Sequence, residues 1–145
     1  MTAKEYLNQY RRELERVREM DLSIQRLEDK LDVQAIQYDK DPAGGGSQED
    51  KVAELVSKIC DIKMHRSVVK TQALLMCAEI EDVIDQVKNP DYSRVLYDRY
   101  VLGRDFETIA DEMHASLRQV YRWHGEALLV AEKIRNNSKV GSKWQ

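Results

Sequence analysis

The stretch Phe106-Glu107-Thr108-Ile109-Ala110-Asp111-Glu112-Met113-His114-Ala115-Ser116-Leu117-Arg118-Gln119-Val120-Tyr121-Arg122-Trp123-His124-Gly125 decides how this chain is read. Its small and apolar residues fall where a helix-turn-helix needs them. Ala110, fifth in the stretch, sits where two helices approach so closely that only a small side chain fits. Val120, fifteenth, packs the second helix back onto the first, and Ile109, Met113 and Trp123 complete the apolar wedge. The sharp turn at the ninth position usually takes glycine, but here it is His114. A left-handed backbone penalises Asn, Asp and His least among the alternatives, so the motif stands at some conformational cost. A helix-turn-helix lays its second helix in the DNA major groove, and double-stranded DNA is the expected partner.

Working outward, Asp105 is placed to cap the first helix of the motif. Ser116-Leu117-Arg118-Gln119 reads as a capping box opening a second helix that continues to about Ile134. Ahead of the motif, Asn89-Pro90 ends one helix and starts another, with Asn89 as cap and Pro90 at the first helical position. Tyr92, Val95, Leu96, Tyr97, Tyr100 and Val101 make that helix amphipathic, and Gly103 closes it. These tyrosines recur at helical spacing, which points to a core rather than to base stacking. After Asn136 the chain is polar and is expected to be a flexible tail, apart from a contact by Trp144.

The N-terminal part predicts two long helices. Thr2-Ala3-Lys4-Glu5 is a capping box, and Leu7, Tyr10, Leu14, Val17, Met20, Ile24, Leu27 and Leu31 then recur mostly in steps of three and four. Periodicity fades near Gln34, and the Gly-rich segment 39–49 reads as a flexible loop. From Asp50 a stricter pattern starts: Val52, Leu55, Ile59, Ile62, Arg66, Val69, Ala73, Met76, Ile80, Val83 and Val87. A sustained 3.5-residue repeat marks a coiled-coil seam. It predicts a helix to about Lys88, about 57 Å long, and a homodimer or higher homo-oligomer through residues 50–88. Arg66 alone interrupts the seam, either fixing register or sending its head to water.

Composition bounds the rest. At 145 residues, with 34% charged and 7% aromatic side chains, the chain suits long helices around a modest core. The net charge of −3 argues against indiscriminate DNA coating. The charge is unevenly spread: residues 1–89 carry 14 basic and 18 acidic groups, whereas 116–145 carry six basic and two acidic. The basic end coincides with the expected reading helix. Neither a membrane span nor a leader peptide is expected. Cys60 and Cys77 lie about 25 Å apart along one helix, too far to bridge, so reduced thiols and a cytoplasmic setting are expected. No His/Cys set has zinc spacing, and no nucleophile turn or phosphate-cradling loop stands out. Neither enzyme chemistry, metal nor cofactor is expected.

Residues 92–134 resemble the promoter-binding C-terminal domain of bacterial sigma factors, through Leu96-Tyr97-Asp98-Arg99-Tyr100, Gly103, Ile109-Ala110, Val120 and Ala127-Leu128. With the N-terminal Thr-Ala-Lys-Glu-Tyr-Leu and the heptad helix, the whole chain resembles small phage and prophage proteins near the ArpU-type late-gene transcriptional regulators. That resemblance implies a role in phage transcription in the bacterial host cytoplasm, with RNA polymerase as a further partner.

The expected fold is all-α: a long antiparallel, coiled-coil-like helical hairpin (1–89), a sigma-like helix-turn-helix domain (90–135) and a tail (136–145). The expected DNA-binding residues are Ser116, Arg118, Gln119, Tyr121, Arg122 and His124. Arg118 and Arg122, four apart, suit guanine edges or phosphate, against the plainer reading of a solubilising face. Gln119 either reads adenine or reaches back to Ser116. Tyr121 lies near a phosphate or thymine methyl, or is partly buried, and His124 touches the DNA backbone. Two other readings remain open. One is a packaging component like a small terminase subunit, which a ring of eight or more copies would favour. The other is a protein-interaction module without DNA binding.

Overall fold

The computed structural model describes residues 1–40 and 45–142, and among them every regular element is helical. The elements are α1 (Ala3–Lys40), α2 (Gly45–Asp85), α3 (Pro90–Leu96) with a π-helical extension (Tyr97–Val101), α4 (Phe106–Met113) and α5 (Leu117–Ser142). None is long and apolar enough to cross a membrane, among the described residues.

The local signals act as their chemistry dictates. Thr2 and Glu5 bond reciprocally, Thr2 N donating to Glu5 Oε2 at 3.1 Å and Glu5 N to Thr2 Oγ1 at 3.2 Å. Asn89 Oδ1 accepts from the amides of Asp91 (3.0 Å) and Tyr92 (3.4 Å), with Pro90 opening α3. Three boundaries differ from expectation. Both long helices reach into the Gly-rich segment, α1 ending at Lys40 and α2 starting at Gly45; positions 41–44 lie outside the described residues. Good helix formers such as Ala35, Gln37 and Lys40 carry α1 past the last periodic residue. At the other end, α5 runs through Asn136 to Ser142, and Trp144 lies outside the described residues.

The chain divides into two compact units. One comprises residues 1–12 and 73–145, the other 13–72. An arm-to-domain junction at residue 89 does not coincide with that division, for a packing reason. Ala3 and Leu7 of α1 and Ile80, Ile84 and Val87 share one buried cluster with Leu96, Tyr100, Ala127 and Ala131. The first turns of α1 are also bonded to α5: Ala3 N donates to Glu132 Oε2 at 2.6 Å, and Arg135 lies over the Tyr6 ring at 4.2 Å. A second cluster, Val95, Ile109, Ala110 and Val120, holds α4 against α5.

Within 13–72 the buried apolar residues are Val17, Ile24, Ile59 and Val69. Polar contacts join the α1 and α2 stretches: Lys63 pairs with Glu28 at 3.4 Å, Arg66 with Asp21 at 2.6 Å, and Arg16 lies 3.4 Å from His65 Nε2. Grooves lined by Asp29 and Gln34 with Lys51 and Lys58, and by Ala35 and Asp39 with Val52, show that rising numbers on α1 meet falling numbers on α2. Arg66, the polar residue of the seam, therefore carries its guanidinium to a carboxylate at the rim.

Candidate nucleic-acid interface

Residues 114–116 make the bend on which the candidate face depends. His114 has φ 51° and ψ 43°, the left-handed conformation, and is the sole non-glycine residue with positive φ among the described residues. Its amide donates to Asp111 O (3.3 Å), and the Ala115 amide to Ala110 O (3.0 Å). Together these form the Schellman closure that stops a helix while satisfying its last carbonyls. At the opposite end of α4, Asp105 Oδ1 accepts from Thr108 N at 2.8 Å. The Thr108 hydroxyl, and after it this amide bond, hold the Asp105 carboxyl below its ordinary value. Ala110 is buried against α5 and Val120 is fully buried, with Phe106, Met113 and Trp123 packed around them.

α5 then presents the expected residues in two groups. Arg118 and Arg122 are exposed, four apart on one face. Among the described residues neither has a carboxylate within ion-pair distance. Tyr121 is 52% exposed, its ring tilted against Phe106 at 5.0 Å between centroids. Ser116 caps α5, its Oγ accepting from Gln119 N at 3.1 Å. The Gln119 side chain does not return that bond. With its amide oxygen facing the donors, it accepts from Trp123 Nε1 at 3.1 Å and Arg122 Nη2 at 2.9 Å, so it props one arginine of the face.

His124 stands apart from this group. Its ring is stacked on Tyr100 (5.7 Å), edge-on to Phe106 (4.9 Å), and its Nε2 lies 2.7 Å from the Tyr100 hydroxyl. Burial, reinforced by the positive charges of Lys4 and Arg99, pushes its pKa down to about 4, and burial pushes the Tyr100 phenol up to about 12. The pair is therefore neutral at physiological pH and acts as an internal brace between the π-helical turn and α5. The two residues are 24 positions apart and share no periodicity, so no sequence signal linked them.

One further feature escapes sequence reading. Glu126 and Glu132, the acids of α5, both have partners within the chain: exposed Glu126 accepts from the Tyr92 hydroxyl, and Glu132 from the Ala3 amide while lying 3.8 Å from Arg135. Exposed Lys133 lies on the Arg118–Arg122 side of α5 by helical spacing, within the stretch that the sequence already reads as helix. Nearby, Gly103 has φ 74°, a left-handed backbone that favours glycine; a Cβ there would also meet the Arg11 guanidinium, the end of a flexible side chain that can move aside. Among the described residues no set of three or more His, Cys, Asp or Glu is disposed to hold a metal.

The chain matches no protein-family model, no curated protein and no solved structure.

Proposed function

We propose that this protein binds double-stranded DNA sequence-specifically in transcription control, with α4, the His114 turn and α5 acting as a sigma-like helix-turn-helix. The observation that carries this reading is the outer face of α5. Arg118 and Arg122 make no ion pair there among the described residues, Glu126 one turn further on binding the Tyr92 hydroxyl and Glu132 the Ala3 amide. An unneutralised guanidinium pair at the start of a helix suits base edges and phosphates alike. The α5 N-terminus adds the favourable end of the helix dipole toward phosphate. Ser116 and Gln119 set the helix start and the Arg122 rotamer; Tyr121 supplies an amphipathic ring at the rim. On this reading α1 and α2 form a coiled-coil-like hairpin serving oligomerisation or docking to RNA polymerase, and the chain works by binding rather than catalysis, in the cytoplasm of a bacterial host.

The test is selection of duplexes from a random library on the full chain, followed by binding across a salt series. A recurrent sequence whose affinity falls steeply with salt supports the reading. Absence of salt-sensitive binding to any duplex overturns it in favour of a protein-interaction module, and a ring of eight or more copies gripping DNA ends points to a packaging component.

A further inference from the structure

Arg118 and Arg122 share a face and a charge, yet they are held differently. Arg118 is exposed and makes no hydrogen bond or ion pair among the described residues. Arg122 is tied back to the core through two side chains. Trp123, half-buried, packs against the cluster of Val95, Ile109, Ala110 and Val120. Its indole Nε1 donates to the Gln119 amide oxygen at 3.1 Å, and the same oxygen accepts from Arg122 Nη2 at 2.9 Å. The rigidity of the cluster is thus carried outward, from Trp123 to Gln119 to an exposed guanidinium. Glu126, one turn beyond, accepts from the Tyr92 hydroxyl and makes no ion pair with Arg122.

The donors of Arg122 can be counted. A guanidinium carries five N–H groups in a planar fork. Nη2 holds two of them, one on each of the edges that present a parallel pair of donors. Gln119 takes one, so the other edge stays complete. Such an edge fits acceptors that come in pairs, guanine O6 and N7 in the major groove or two oxygens of a phosphate. Phosphate contacts position a protein on the duplex, whereas base contacts specify sequence. Holding the fork in advance removes part of the ordering cost of binding, a gain that is largest where the acceptors are themselves fixed, as base edges are. We propose that Arg122 is the base-reading arginine of this face, taking the O6/N7 edge of a guanine, with Gln119 and Trp123 as its positioning residues, while Arg118 serves phosphate. This assignment rests on the DNA-binding reading above and adds which side chain carries its specificity.

The test is binding of the full chain to its selected duplex and to duplexes altered at a single base pair, each across a salt series. Wild type prefers one G·C pair over its replacements by about tenfold or more. Arg122→Lys keeps the charge but loses the fork, so it abolishes that preference and leaves the salt slope unchanged. Gln119→Ala reduces the preference by about three- to tenfold, with melting and salt slope unchanged. Gln119→Glu restores it, since a carboxylate accepts from both donors, although its charge weakens binding to every duplex. Trp123→Phe keeps a ring against the cluster, removes the indole N–H and acts like Gln119→Ala. Arg118→Ala weakens all duplexes alike and lowers the salt slope by about one. A G·C preference that survives Arg122→Lys or Gln119→Ala, or that vanishes with Arg118→Ala, would overturn this assignment and leave the DNA-binding reading standing. Absence of wild-type binding to any duplex would overturn both. Should Trp123→Phe lower the melting temperature, the two Gln119 variants and Arg122→Lys decide.

Discussion

The α4–turn–α5 region and the stretch 13–72 are equally helical, yet they hold their helices by different means. In the first, the elements converge on fully buried side chains: Ile109, Val120, Ala127 and Ala131 are all 0% exposed. In the second, two long helices share a narrow seam, while Leu22, Val33, Ile36 and Met64 remain in solvent. A compact core fixes geometry at each residue. A seam fixes only phase along a helix, leaving the outer face for other contacts. The comparison predicts that equal chemical insults will have unequal effects.

The largest contrast is a core truncation. Ile109→Ala, at a fully buried position between α4 and α5, should cost about 3–5 kcal/mol. Ile59→Ala, on the seam at 6% exposure, should cost about 2–3 kcal/mol because its surroundings can collapse. Denaturant unfolding of both variants would show the gap, and equal losses would erase the distinction between core and seam.

The next effect belongs to the compact unit alone. His124 is held neutral in the folded protein, its pKa pushed from the ordinary 6.5 down to about 4, whereas the unfolded ring protonates at the ordinary value. Its contribution is therefore complete above about pH 6.5 and is lost as pH falls toward 4. For a half-buried ring screened by solvent this amounts to about 1–2 kcal/mol. Melting of wild type and His124→Gln should diverge between pH 7 and 4.5, with wild type losing more. Parallel curves would place the ring in solvent.

Glycine substitutions sharpen the comparison at a finer scale. Gly103→Ala meets a left-handed backbone and should destabilise by about 1 kcal/mol, the Arg11 guanidinium moving aside at little cost. Gly125 lies inside α5 with open space around it, so Gly125→Ala should stabilise by about 0.5–1 kcal/mol. Thermal melts read both signs, and a stabilised Gly103→Ala would mean that the backbone there is not left-handed.

How much was legible in the sequence follows the same divide. Capping residues act locally, so Thr2, Asn89, Asp105 and Ser116 announced helix starts, and His114 announced a left-handed turn. The spacing of Ala110 and Val120 gave the α4–α5 contact. Tertiary contacts without periodicity were invisible. Nothing in the pattern revealed that His124 turns inward to Tyr100, that Gln119 supports Arg122, or that the first turns of α1 join the core around Tyr100. The heptad pattern of α2 showed that one face is buried and did not show against what. Helix propensity carried both α1 and α5 beyond the last apolar repeat, because hydrophobic periodicity reports burial rather than helix length.

The central claim, that the outer face of α5 touches DNA, is tested most directly by binding of wild type and the Arg118→Ala/Arg122→Ala double variant to a selected and a scrambled duplex across a salt series. Both arginines are exposed and lie away from the Ile109–Val120 cluster, so the variant should keep its melting temperature. The account predicts a loss of about 2–4 kcal/mol on the selected duplex, with a salt slope reduced by one or about two units and a narrowed gap between the duplexes. Superimposable curves for wild type and the double variant would contradict it.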